Sequence, residues 1–438
     1  MIASPPGAGP GGAVARRLTG ATVSALALIA LALLLGVVSG RAELFVAGVP
    51  LALRLLAGAR RRPPSAWTLT HAVSSTRLFE GERLTVITTL TSPTRLPQVE
   101  ALEPLPASAR LISGANRVVV SVGAGETATW SYEIDFPERA RVALGAVHLR
   151  DWSPTGLAVD ESVRFEPAMV RVYPRAMPLR RLPAPRRTQT SVGNYVSPLV
   201  GDGLEPGDVR LFAPGDRVRH VNWRASLRLG RLYVTRYQQE RNADVVLMLD
   251  SLVDAGEGAT SALSEGLRAV SSLAAAYLAR KDRVGLIEYG GVLRWVRPGS
   301  GRPHFERLLD TLLRADVTFT YVAKDLGLIP ARVLPPQALV IAITPLLDGR
   351  FVTAIADLAG RGFDLIVLAV DAVAATRASV RPTPLLDAVC RLWRLERERQ
   401  IADLSARGLD VVDWRGGEPL ELALSRAGRR RPRRAVAG

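Results

Sequence analysis

The stretch Gly203–Asp250, GLEPGDVRLFAPGDRVRHVNWRASLRLGRLYVTRYQQERNADVVLMLD, divides this 438-residue chain in two. It opens with two Pro-Gly turns, Pro206-Gly207-Asp208 and Pro214-Gly215-Asp216, each placing a carboxylate directly after a tight turn. Arg210, Arg217, Arg219, Arg224 and Arg228 surround them, and Trp223 stands out as a large apolar residue. Charges so dense and so nearly balanced predict an extended segment that does not bury itself as helix or strand. Two roles fit it: Asp–Arg forks holding it against a neighbouring domain, or a docking surface for a partner protein. The stretch ends differently. Ala243–Asp250 is a continuous apolar run closing on Asp, the pattern of a strand buried on both faces.

Downstream of Asp250, strands and helices alternate over 243–420. Strands are expected at Val284–Tyr289 and Val292–Val296 (a hairpin turning at Gly290-Gly291), Ala338–Thr344, Asp364–Val370 and Leu409–Trp414. Helices are expected at Ser261–Lys281, Pro303–Leu313, Phe351–Ala359 and Leu385–Ala406. In the first helix, Ala262, Leu263, Leu267, Val270, Leu273, Ala274 and Leu278 form an inward stripe. Such alternation makes a mostly parallel α/β sheet with ligands at the carboxyl ends of its strands.

Upstream lie an anchor and a β-rich module. Residues 1–17 read as a disordered leader; their glycines Gly7, Gly9 and Gly12 mimic a dinucleotide fingerprint but lack the strand that must precede one. Leu18–Gly40 is free of charge and, at 1.5 Å per residue, roughly 35 Å long, enough for a bilayer core. A second run, Leu44–Ala59, is shorter and carries Arg54, so it needs a thinned bilayer or snorkelling, or lies interfacially. Arg16 and Arg17 before the first run, and Arg60, Arg61 and Arg62 after the second, put both ends on the cytoplasmic side. The expectation is therefore a multi-pass cell-membrane protein: a transmembrane helical hairpin over 18–62 carrying a cytoplasmic body. The length of the first run and the immediate second one argue against a cleaved signal peptide.

Residues 66–175 carry short alternating runs, among them Trp67–Val73, Arg83–Thr91, Asn116–Val122, Thr127–Phe136 and Arg141–Leu149, which suit a small β-sandwich. Trp130, Tyr132 and Trp152 read as packing residues, and His71 and His148 lack the partners of a metal site. Residues 176–242 combine a stiff, basic, Pro-rich connector (Pro178, Pro183, Pro185, with Arg180, Arg181, Arg186 and Arg187) and the opening stretch. A basic tail occupies 421–438.

Composition narrows the function classes. The net charge of +16 rests on arginine, since Lys281 and Lys324 are the only lysines. Those arginines are spread without interleaved stacking aromatics, so nucleic acid is not the expected partner. The single cysteine, Cys390, excludes an internal disulfide and falls inside a helix as a packing residue. No phosphate-binding loop, His-Glu-x-x-His or nucleophile elbow is present, and acids such as Glu205 and Asp208 sit among arginines that would lower their pKa. The chain does not read as an enzyme.

A family resemblance rests on two runs. Arg210-Leu-Phe-Ala-Pro-Gly-Asp-Arg-Val-Arg-His-Val-Asn-Trp-Arg-Ala-Ser-Leu-Arg resembles the signature of the bacterial domain-of-unknown-function 58 family, with Asn222 where that pattern has Asp. Arg141-Val-Ala-Leu-Gly-Ala-Val-His-Leu-Arg-Asp-Trp-Ser-Pro-Thr-Gly-Leu resembles its second landmark, a Gly-x-Val strand before Asp-Pro-x-Gly-Leu, with Ser153 interposed. The signature positions Arg210, Pro214, Gly215, Asp216, Arg219, Asn222, Trp223, Arg224, Ser226 and Arg228 are the candidate docking residues. The resemblance implies a membrane-anchored adaptor working beside a MoxR-type AAA+ ATPase in protein-complex assembly or envelope processes. It also implies a von Willebrand factor A-like α/β domain, a fold that commonly holds Mg²⁺ above its sheet. Here that site is degraded. Asp250 is present, Leu252 and Asp254 stand where two serines are expected, Thr318 or Thr320 would be the distal Thr, and Asp348 lies beyond the expected distal acid. A metal-dependent hydrolase or transferase acting at the membrane is the rival reading.

Overall fold

A computed structural model describes residues 2–3, 15–59, 67–153, 155–184, 189–213, 218, 221–322 and 324–427, with the backbone alone at 2–3, 58–59, 166, 189–208 and 235–242. The chain divides into two compact units, Met1–Tyr173 and Pro174–Gly438.

The first unit starts with β1 (Ile2–Ala3) and β2 (Ala15–Leu18), followed by helices α1 (Gly20–Ser39) and α2 (Ala42–Ala59). Residues 15–18 are thus a strand and not leader. β2 pairs with Ala158–Glu161 of a later strand, and Arg17 reaches Glu161 at 3.2 Å. Among the described residues α1 is the one helix long and apolar enough to cross a membrane. α2 carries Pro50 and packs back on α1, with Phe45 against Gly36 and Gly48 against Ala32. Arg54 does not extend freely: its Nη2 donates to the Thr155 carbonyl at 2.8 Å. Arg60, Arg61 and Arg62 lie outside the described residues.

The β module continues with β3 (Thr68–Val73), β4 (Arg77–Phe79), β5 (Arg83–Thr91), β6 (Leu96–Leu102), β7 (Arg110–Gly114), β8 (Arg117–Val122), β9 (Thr127–Asp135), β10 (Ala140–Trp152) and β11 (Ala158–Tyr173). They form two sheets, β1-β3-β5-β9-β7 and β2-β11-β10-β6-β8, with β4 alongside β11. In β5 every second residue is buried, as strand alternation demands. Leu84, Val86, Ile134, Phe136 and Val172 fill the core, each contributing about 1.5–3 kcal/mol by leaving water.

In the second unit, residues 174–184 do not simply run over a surface. They are strapped along helix α4 (Ala262–Ala279): Ser271 Oγ donates to the Pro174 carbonyl at 3.0 Å, Met177 N to Ser272 Oγ at 2.8 Å, and Tyr277 Oη to the Pro183 carbonyl at 2.7 Å. Pro185, Arg186 and Arg187 fall outside the described residues. Two long strands follow, β12 (Gln189–Leu211) and β13 (Tyr233–Asn242), paired antiparallel with repeated register shifts and separated by the short helix α3 (Trp223–Leu229). The stretch expected to be extended is so in β12 and β13, but it pairs with itself and is interrupted by the helix α3, which the expectation did not include. A ribbon exposes charged side chains while satisfying its backbone, so dense charge does not prevent pairing.

A six-stranded sheet makes the body of this unit. Its strands are β14 (Asp244–Ser251), β15 (Arg283–Gly290), β16 (Arg294–Gly299), β17 (Leu339–Thr344), β18 (Asp364–Val370) and β19 (Asp410–Trp414), in the order β16-β15-β14-β17-β18-β19. All neighbours are parallel except β16, which folds back antiparallel on β15. Every residue of β14 and β17 is buried, which is why both read as unbroken apolar runs. The helices are α4, α5 (Arg302–Leu312), α6 (Gly349–Gly360), α7 (Ala372–Ser379), α8 (Pro384–Ala406) and α9 (Leu420–Leu424). Ser261 caps α4 by accepting from Ser264 N, and Thr383 caps α8 the same way through Leu386 N. Cys390 is buried in α8, as a packing residue should be. The strand order reverses between β14 and β17, and such a switch point opens a crevice at the carboxyl ends of the strands.

Candidate functional site

At that switch point the last turn of β14 delivers Asp250, only 2% exposed. Thr344, the final residue of β17, donates from Oγ1 to Asp250 Oδ2 at 2.7 Å, and Leu252 N donates to Oδ1 at 3.1 Å. Thr344 Oγ1 in turn accepts from Leu346 N at 3.0 Å. Leu346 has φ +59°, a left-handed backbone that a leucine adopts only under tertiary constraint. Burial pushes the Asp250 carboxyl up to about 7. The Thr344 and Leu252 donors and the Arg350 charge pull it down, and the nearby Asp348 charge opposes them.

Asp348 follows in the same loop. It caps α6 by accepting from Arg350 N at 2.8 Å, and the Arg350 guanidinium forks onto it, Nε to Oδ1 at 2.9 Å and Nη2 to Oδ2 at 2.6 Å. That hydrogen bonding holds the Asp348 carboxyl below its ordinary range. Arg350 Nη1 also donates to the Thr320 carbonyl at 2.6 Å, tying down the segment that carries Phe319 and Tyr321. These two rings meet edge to face, 4.8 Å between centroids, and both are largely exposed. On the neighbouring strand Glu288 is buried beside Ser251 Oγ (3.3 Å) and Arg294 Nη1 (2.9 Å). Burial raises its carboxyl despite those partners.

Asp254 and Thr318, the other two candidate metal ligands, are held by contacts of their own. Asp254 Oδ1 accepts from Ala255 N and Leu263 N, both at 2.8 Å, so its carboxylate fastens the loop to the start of α4. Thr318 lies against Gly291, so closely that a Cβ added to the glycine would fall 2.1 Å from the Thr318 carbonyl. Thr320 contributes its carbonyl to Arg350, and its hydroxyl accepts from Val322 N. Among the described residues no cluster of three His, Cys, Asp or Glu side chains could hold a metal ion. Asp250 and Asp348 do share the rim, with the Arg350 guanidinium supplying the positive charge beside them.

The signature residues are placed as follows. Asn222 caps α3, its Oδ1 accepting from Ala225 N at 3.0 Å. Asn and Asp cap about equally well, so Asn222 can serve where the resembling pattern has Asp. Ser226 is buried and joins α3 to β13: Tyr233 N donates to its Oγ at 2.9 Å. Gly230, at φ +68°, ends the helix and donates to the Ser226 carbonyl. The rest of α3 faces outward, with Trp223 60% and Leu227 84% exposed, accompanied by Leu229, Arg224 and Arg228. Arg210 donates from Nη1 to the Leu211 carbonyl at 2.8 Å. Pro214, Gly215, Asp216 and Arg219 lie outside the described residues, as does the Asp208 side chain, so the expected Asp–Arg forks fall there too.

Sequence reasoning missed Thr344, Arg350, Phe319 and Tyr321. Asp348-Gly349-Arg350 carried a usable signal, a capping Asp with Arg in the first turn. Thr344 carried none, because its partner lies 94 residues away.

Comparisons with known proteins bear on this region. Uncharacterized proteins of Mycobacterium tuberculosis and Mycobacterium bovis are 28% identical over 123 residues, 27% of this chain and 39% of theirs. The chain thus spans about two-fifths of the curated relatives it matches. The solved structures it is similar to are distant, at low identity and low TM-score. The cupredoxin domain of amoB from Nitrosocaldus yellowstonii aligns over 24% of this chain and 86% of its own, at 11% identity and TM-score 0.18. The C-terminal domain of wzt aligns over 30% and 90%, at 9% identity and TM-score 0.17. Residues 208–377, which include α3 and the Asp250–Thr344–Asp348–Arg350 rim, match the family described as Protein of unknown function DUF58.

Proposed function

We propose that the chain is a membrane-anchored adaptor with a cytoplasmic body, working beside a MoxR-type AAA+ ATPase that supplies the ATP chemistry. α1 and α2 together serve as its anchor, and the mixed-sheet unit is of von Willebrand factor A-like type. The strand order, with its single antiparallel edge strand after β15, supports that fold reading.

The observation that carries the proposal is the exposed face of α3. A seven-residue helix is fixed at both ends by Asn222 and Gly230, yet it turns Trp223, Leu227 and Leu229 outward beside two arginines. Trp and Arg dominate the energetics of protein interfaces, and a rigid scaffold lowers the ordering cost of binding. Phe319 and Tyr321 give the carboxyl-end rim a second such feature, and Arg350 fills the electrostatic place that a cation would take there. The reading is of a contact surface, not a reaction centre.

The test is co-purification of the full chain in nanodiscs with the MoxR-type ATPase of the same organism, with and without ATP and Mg²⁺. Binding that is lost in Trp223→Ala/Leu227→Ala, with the melting temperature unchanged, supports the assignment. No association under any nucleotide condition refutes the adaptor role, whereas unchanged binding by the double variant refutes only this choice of surface.

A further inference from the structure

The end of the six-stranded sheet away from Asp250 carries a cavity of its own. β15 starts at Arg283, and the edge strand β16 runs back along it to Gly299, opposite Val284. Register slips between Gly299 and Val296, so β16 carries one residue more there than its partner. Pro298 lies in that bulge, where an edge strand can do without the N–H that proline lacks. Its ring rests on Gly285, where a Cβ would come within 3.0 Å of it. The chain then turns through Gly299-Ser300-Gly301 into α5, whose N-cap glycine has no side chain to offer the first-turn N–H groups.

These elements and the turn before β17 border an open cavity of about 510 Å³, within the size range of small-ligand sites. Its charged lining is Arg283, Arg297, Arg307 and Arg332, with His304 and Trp295 beside them. Two of these groups are already engaged. Arg283 Nη1 lies 3.3 Å from Asp244 Oδ1 and its Nη2 donates to the Pro298 carbonyl at 3.2 Å, while His304 Nε2 donates to the Val284 carbonyl at 2.7 Å. They shape the wall and stay with those partners. Arg297, Arg307 and Arg332 differ. Each comes from a different element: Arg297 from the bulge of β16, Arg307 from the second turn of α5, and Arg332 from a turn closed by Val333 N on the Pro330 carbonyl at 2.8 Å. All three are exposed, and among the described residues no hydrogen bond or ion pair holds their side chains and no carboxylate lines the cavity. Elsewhere in this unit arginines are matched to acids, as in Arg294–Glu288, Arg350–Asp348 and Arg397–Asp413. Three unmatched guanidiniums around one opening leave a positive charge that an external anion with several oxygens neutralises. Inorganic phosphate alone would not fill the space, and Trp295, 43% exposed, offers an apolar wall beside it.

We propose that this cavity binds a small phosphate ester, its phosphate recognised by Arg297, Arg307 and Arg332 and its organic part resting on Trp295. The uncapped start of α5 adds partial positive charge at the same place. The site stands apart from the Asp250 rim, which lies at the carboxyl end of β14, and does not depend on the adaptor reading.

The test is calorimetric titration of the full chain in phosphatidylcholine nanodiscs with adenosine 5′-monophosphate and, separately, inorganic phosphate. Salt is held at about 150 mM, where charges more than about 8 Å apart are largely screened. Saturable binding of the nucleotide, tighter than that of phosphate, is the expected result. Arg297→Gln, Arg307→Gln and Arg332→Gln should each weaken it by roughly tenfold, the loss of one charge-assisted hydrogen bond, with the melting temperature unchanged. Trp295→Ala should bring the nucleotide down to the affinity of inorganic phosphate. Arg302→Gln, on an α5 arginine that faces Glu306 at 3.7 Å, should leave binding as it is. A second arm adds phosphatidylglycerol to the nanodiscs: displacement of the nucleotide identifies the phosphate as a lipid headgroup, and no displacement identifies a free ester. No saturable binding of either probe overturns the proposal. Unchanged affinity in the three arginine variants overturns it too, as does an equal loss in Arg302→Gln, the mark of a general attraction to positive charge.

Discussion

Asp250→Asn isolates the cost of ionising a carboxyl at the switch point. Its folded-state value of about 7 lies well above the 3.8 of an ordinary Asp. Between those values the folded chain holds a proton that the unfolded chain has released, so stability is full at low pH and falls as pH rises through about 7. At about 1.4 kcal/mol per pH unit, a wild-type chain moved from about pH 5 to about pH 8 loses about 2–3 kcal/mol through this group. Asparagine keeps the shape, and its carbonyl still accepts from Leu252 N, but it cannot ionise. The variant should therefore gain on wild type by that amount across the window, roughly a hundredfold in the opening equilibrium of the sheet. Hydrogen exchange of peptides covering 244–251 and 339–344, compared between the two chains at matched pH, reads the difference directly. A wild-type-to-variant difference that is the same at every pH would refute the account of a buried, proton-retaining carboxyl.

Three further changes test the supports around the two sites. Asn222→Ala should cost about 1 kcal/mol by uncapping α3, while Asn222→Asp should be near neutral, as urea midpoints of the two variants will show. Gly291→Ala places a methyl 2.1 Å from the Thr318 carbonyl, so the loop must shift; a loss of about 1–3 kcal/mol in the same measurement is expected. Tyr277→Phe removes the hydroxyl that holds Pro183 and should cost about 1 kcal/mol while exposing residues 174–184 to limited proteolysis.

Most of the second unit was legible because its strands are buried on both faces and its helices carry caps. The runs at 338–344 and 364–370 differ from β17 and β18 by at most one residue. The short helix α7 escaped notice because its alanines carry little periodicity. In the β module, β11 was hidden by Pro167 and by acids on the strand. It tolerates them because its neighbour β2 covers only Ala158–Glu161 and β4 only Arg171–Tyr173. α3 was overlooked since arginine density masked the cap at Asn222 and the stop at Gly230. At the rim, Asp250 was visible as an acid closing a strand. Its engagement with Thr344 depends on β14 and β17 being neighbours, which is a property of strand order and not of local pattern.

The junction between α1 and the β module sets a limit on motion. Thr19 N donates to the Leu157 carbonyl at 3.1 Å, Thr19 Oγ1 to the Gly156 carbonyl at 2.8 Å, and Thr22 Oγ1 to Leu157 as well. The helix thus enters its first turn already fastened to the loop that follows Trp152, with β2 zipped onto β11 immediately before it. No swivel separates the two. A rotation or tilt of α1 about its axis must turn the sandwich with it, so the module behaves as a rigid extension of the helix, and a torque applied to either would be felt by the other.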